Sequence, residues 1–198
     1  MSTPRLRDFF TDITRARDLV GLGQAIGAMT NGLVDATDMY RAALVQGVAA
    51  WDRYVHGIVL DRGVDILLGR MNVAPTSRVG LPIGQIASLV NATDSMSREL
   101  TARSLLAERL ARETFQRPDD VATALATVGI NSVWSSAFPD AHRVKKELGL
   151  IVDRRNKIVH QCDYDPANPG QVTILAPQDA LSAANAIDNI AGAIDVLL

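Results

Sequence analysis

The sequence predicts an all-α protein, an antiparallel helical bundle with a long second and a long third helix. Three observations carry that expectation. Apolar residues recur at helical spacing along most of the chain. Prolines and glycines fall mostly between those segments. Only residues 171–175 alternate in the manner of a strand.

The first helix is expected over about 3–31, loosened by Gly21, Gly23 and Gly27. The second, over about 35–68, is more regular, with Tyr40, Leu44, Val48, Trp51, Val55, Ile58 and Val59 on one face. A loop at 72–82 ends it. The third covers about 83–115 and turns Ile86, Leu89, Val90, Met96, Leu100, Leu106 and Leu110 inward. Pro118 opens a shorter piece, 119–128. A further segment runs over 139–159, with a possible break at Gly149, and Pro166 and Pro169 close it. After the extended stretch a last amphipathic helix carries Leu181, Ala184, Ile187, Ile194 and Leu197, with Pro177 before it. Trp51 and Trp134 are expected as core anchors. With no internal repeat, low-complexity stretch or long linker, residues 1–198 read as one domain.

Hydrophobic residues make up 47% of the chain, yet no apolar run approaches the ~18 residues that span a bilayer. Residues 1–12 mix Asp8 and Asp12 with Arg5 and Arg7 and lack a secretory h-region. The expected location is therefore the cytoplasm, with no membrane contact. The single cysteine, Cys162, excludes an internal disulfide and multi-cysteine metal clusters. His56, His142 and His160 show no zinc-like spacing, and Asp163 and Asp165 read as a turn rather than metal ligands. No metal or cofactor is expected.

A net charge of -2 does not make the whole molecule attractive to nucleic acid. Locally the balance reverses: Arg143, Lys145, Lys146, Arg154, Arg155 and Lys157 face only Glu147 and Asp153 over the same stretch. Such a cluster is either a solvated helix face or an anion-binding site.

Within it, Ile151, Val152, Ile158 and Val159 are expected as the apolar stripe, and Arg155 falls where that stripe should continue. An arginine in a core-facing row needs a partner. Asp52, which interrupts the row Val45, Val48, Val55 and Val59 on the second helix, is the candidate. Two readings stand at this point, a structural ion pair and an organised polar site. Asn156 and His160, one turn apart on the same helix, add an amide and a group titrating near ~6.5. A guanidinium and an imidazole are the equipment of phosphate-ester chemistry: a base for a ribose 2'-OH, an acid for the leaving 5'-oxygen, and a cation for the developing charge.

The run Asp153-Arg154-Arg155-Asn156-Lys157-Ile158-Val159-His160 contains an R-x4-H motif in its R-N-x-x-x-H form and resembles the signature of HEPN domains. Its continuation, Gln161-Cys162-Asp163-Tyr164-Asp165-Pro166, and the upstream Trp51-Asp52-Arg53-Tyr54-Val55-His56 are similar to the RiboL-PSP-HEPN branch. The resemblance covers most of the chain in architecture and two short segments residue by residue. It implies a metal-independent endoribonuclease acting as a homodimer, leaving 2',3'-cyclic phosphate and 5'-hydroxyl ends. A toxin or phage-defence effector, with an antitoxin or sensor protein as possible partner, is the implied context. His160 is then general base or acid, Arg155 the stabiliser of transition-state charge, and Asn156 the orienting amide. Arg154 and Lys157 would bind flanking RNA phosphates, while Asp52 and His56 would support the site from the second helix. The competing expectation is a catalytically inactive module that dimerises or binds a partner or nucleotide.

Overall fold

The structure, a computed structural model, describes residues 2–72 and 80–198. They form eight helices: α1 (Pro4–Met29), α2 (Thr37–Leu67), α3 (Ile83–Asn91), α4 (Ser95–Leu110), α5 (Pro118–Thr127), α6 (Val133–Ala137), α7 (Ala141–Gln161) and α8 (Pro177–Asp195). The described residues are thus all-helical. The expected extended stretch contributes only an isolated antiparallel bridge between Tyr164 and Val172. No described helix is long and apolar enough to cross a membrane.

Helices α1, α2, α5 and α8 lie close to their expected limits, and α7 runs unbroken through Gly149. The long third helix does not form. Ala92 turns extended, and Asp94 starts α4 as its N-cap, its carboxylate accepting the Ser97 N–H at 2.8 Å and hydroxyl at 2.6 Å. An N-cap of this strength outweighs a continuous apolar period. The break also changes what faces inward. Leu89, Leu106 and Leu110 are buried, but Ile86, Val90, Met96 and Leu100 are exposed. Most of the expected 72–82 loop, residues 73–79, lies outside the described residues.

The chain packs as two compact units, residues 1–54 with 137–198 and residues 55–136, and α2 contributes to both. In the first unit, α1 buries Phe9, Ile13, Ala16 and Val20, and α8 buries Ala180, Ala184, Ile187, Ala191 and Ile194. Gly47 of α2 faces both: a Cβ there would stand in ordinary contact, 3.6 Å from Cδ1 of Ile13 and 3.7 Å from Cδ1 of Ile187. The rings of Phe9 and Tyr54, 5.4 Å apart, and of Trp51 and Tyr54, 6.1 Å apart, extend that core. In the second unit Val64, Leu89, Ala102, Leu105 and Leu106 form one core cluster, and buried Trp134 donates its Nε1–H to the Pro118 carbonyl at 2.8 Å.

Candidate active site

Helix α7 belongs to the first unit. It starts where the Asp140 carboxylate accepts the Arg143 N–H at 3.0 Å. Its buried row is Val144, Leu148 and Val152. The expected stripe needs correction, because Val159 is 47% exposed while Ile151 and Ile158 are only half-buried. A row with period ~3.6 that begins at Val144 reaches Arg155 three turns on. Arg155 therefore does stand on the buried side of α7, half-buried, as its place in the pattern suggested. Its Nη1 donates to Asn156 Oδ1 at 3.0 Å. Its Nε is buried without a hydrogen-bond partner among the described residues.

His160 is exposed in the last turn of α7. An open groove on that helix is lined by Leu150, Asp153, Arg154, Asn156, Lys157, His160 and Gln161. Five residues of helix separate Arg155 from His160 by ~140° in direction and ~7.5 Å along the axis. Asn156 stands between them, bonded to the arginine and one turn from the histidine. One chain thus offers a solvated imidazole beside an amide, with a guanidinium set back towards the core.

Of the supporting residues, Asp52 is half-buried on α2. His56, beyond Tyr54 on the same helix, belongs to the second unit. There its ring packs on Phe115 at 4.3 Å, with Nε2 3.3 Å from the Leu110 carbonyl. Lys157 is exposed in the groove. Arg154 lines the groove too, but its guanidinium is engaged elsewhere: Nη2 donates to Asp163 Oδ2 at 2.8 Å, to the Thr173 carbonyl at 3.1 Å and to the Ile174 carbonyl at 3.3 Å. Arg154, expected as a phosphate contact, thus forms an internal ion pair with Asp163 at the edge of the groove.

Asp163 is the site feature that pattern reasoning missed. It is wholly buried, and Arg41 of α2 donates Nε to the same Oδ2 at 3.0 Å. Burial works against the charge of Arg41, yet hydrogen bonds to Asp163 and Asp38 outweigh it and raise its pKa further above the ordinary value. Cys162 and Asp163 both take left-handed φ angles, +49° and +56°, and both N–H groups return to the Lys157 carbonyl, capping α7. Left-handed backbone costs about 1–2 kcal/mol per non-glycine residue and persists where contacts enforce it. No spacing rule links positions 41, 154 and 163, so the sequence carries no local signal for the cluster. Asp165 does form the turn expected of it, accepting the Ala167 N–H at 2.9 Å and Asn168 Nδ2 at 2.7 Å.

Among the described residues no group of three or more His, Cys, Asp or Glu side chains is placed to hold a metal ion. Comparison with protein-family models, with curated proteins and with solved structures returns no match.

Proposed function

We propose that the chain is a metal-independent endoribonuclease of HEPN type, working as a homodimer in which α7 of each copy supplies one His160. The observation that carries the reading is the open groove on α7, where exposed His160 stands one turn from Asn156, itself bonded to Arg155. The basic side chain of Lys157 in the same groove suits a polyanion.

The chemistry needs no more than these groups. One imidazole takes the proton of a ribose 2'-OH as its oxygen attacks the adjacent phosphorus. The bond to the 5'-oxygen breaks, and a second imidazole, protonated, delivers its proton to that leaving group. The products are a 2',3'-cyclic phosphate and a 5'-hydroxyl. Charge gathering on the non-bridging oxygens is met by the Arg155 guanidinium, whose planar donor fork matches phosphate. Acid and base are two histidines and the α7 groove of one chain holds one, so a twofold axis beside α7 completes the pair. A toxin or defence effector held in check by an antitoxin or sensor protein is the setting such an activity implies.

The test is incubation of wild type and His160→Ala with total RNA in EDTA. Cleavage that survives chelation and disappears in the variant is the expected result. Equal cleavage by both proteins, or none by either, rejects the assignment and leaves an inactive dimerisation or nucleotide-binding module.

A further inference from the structure

The turn that carries His160 is the last of α7, and helix ends ordinarily fray. Here the end is held by one buried carboxylate. Asp163, 0% exposed, receives Arg41 Nε from α2 at 3.0 Å and Arg154 Nη2 from α7 at 2.8 Å. Both arginines also donate to the Thr173 carbonyl, at 3.0 Å and 3.1 Å, and the Thr173 N–H returns to the Asp163 carbonyl at 2.8 Å. Two helices and the returning chain are thereby closed into one frame around residues 162–163, directly after the candidate site.

Stability is a weak account of such a frame. Burying ions is costly, and apolar replacements of similar volume are often neutral or stabilising. This frame is also incompletely satisfied, since Asp163 Oδ1 and Arg154 Nε are buried without hydrogen-bond partners among the described residues. What the ions do secure is geometry: a pair of consecutive left-handed residues that ends α7 at a defined place and angle.

We propose that Asp163, gripped by Arg41 and Arg154, is the positioning residue of the candidate site, fixing the last turn of α7 and with it the direction of His160. The proposal rests on the reading of α7 as an RNA-cleaving surface. Arg154 then acts through Asp163 and not as a phosphate contact.

The experiment compares full-length wild type, Asp163→Asn, Arg154→Gln and Arg154→Lys by amide hydrogen exchange, RNA cleavage kinetics and the salt dependence of RNA affinity. In Asp163→Asn, protection is lost at the amides of Cys162, Asp163 and Thr173 but kept at Leu148 and Val152. kcat falls about tenfold or more with KM little changed, as misplacement of a reacting group requires. Arg154→Gln reproduces both effects and carries the test alone if Asp163→Asn does not fold; Arg154→Lys, which keeps the charge, recovers part of the rate. The salt slope stays at its wild-type value throughout. Unchanged protection at residues 162–173 overturns the proposal, as does protection lost evenly along α7, which makes the frame a general stabiliser. A salt slope that falls by about 0.7 when Arg154 is removed makes that residue a phosphate contact and overturns it as well. Absence of cleavage by wild type instead defeats the ribonuclease reading, and the exchange data then decide the frame by themselves.

Discussion

The Tyr54 hydroxyl donates to Oδ1 of Asp195 at 3.2 Å inside the first unit. The other oxygen of that carboxylate accepts the Thr3 N–H at 3.0 Å, and the Thr3 hydroxyl joins Oδ1. One buried acid thus joins the residue that caps α1, the middle of α2 and the last residue of α8.

Tyr54→Phe is expected to destabilise the protein by about 1–2 kcal/mol at neutral pH, because it removes one donor from a buried carboxylate. Burial first, and then the charge of Asp195 and its hydrogen bond, raise the pKa of the Tyr54 phenol. A group whose pKa rises on folding contributes stability in full below its unfolded value, about 10 for tyrosine, and loses it as the pH climbs beyond that. Thermal melts from neutral to strongly alkaline pH should therefore show the wild-type advantage over Tyr54→Phe shrinking above about pH 10. A constant gap would mean that the phenol does not titrate against the fold.

Two glycines on α1 should respond oppositely to alanine. A Cβ on Gly23 would lie 2.7 Å from Tyr40 Cε1, 3.0 Å from Met39 Cβ and 3.3 Å from the Ala36 carbonyl oxygen. Gly23→Ala is expected to cost about 1–3 kcal/mol through overpacking. Gly21, with nothing within 4 Å of a built Cβ, should gain about 0.5–1 kcal/mol from the same change, because alanine is the better helix former. Urea denaturation of both variants measures the sign.

Arg155→Ala should lower RNA cleavage by about 100-fold or more, the usual cost of removing a group that meets transition-state charge. Its melting midpoint should stay within about 4 °C of wild type, since the half-buried side chain leaves its Nε unused. Arg155→Lys should remain impaired, as an ammonium lacks the bidentate fork. Collapse of the fold in Arg155→Ala would instead identify the residue as a structural ion.

Lys157→Ala should reduce the slope of log affinity for single-stranded RNA against log salt by about 0.7, the signature of one lost phosphate contact. The side chain is exposed, so the melting temperature should not move. Filter binding over a salt series reads the slope, and an unchanged value would take Lys157 out of the substrate path.

How far these elements could be read beforehand depended on the range over which their causes act. α2 and α8 announce themselves because their apolar residues repeat within each turn and Pro177 marks a start. The break between α3 and α4 hides in one Asp94–Ser97 contact, invisible to a periodic count. The same holds at the candidate site. Arg155, Asn156 and His160 are legible as a candidate group because they are neighbours on one helix. The link from Asp163 to Arg41 spans 122 positions and arises only when α2 and α7 are brought together. Arg154 shows the price of adjacency: one step from Arg155, it reads as another basic surface residue and is in fact held by a buried acid.

Every side chain lining the α7 groove comes from a single stretch of twelve residues, 150–161. Control of such a surface would be correspondingly simple. A protein laying one helix or strand lengthwise along this segment would cover Leu150, Lys157 and His160 together. Inhibitor selection could then be directed at a contiguous stretch of one helix, and escape from such an inhibitor would require changes in the residues that line the groove.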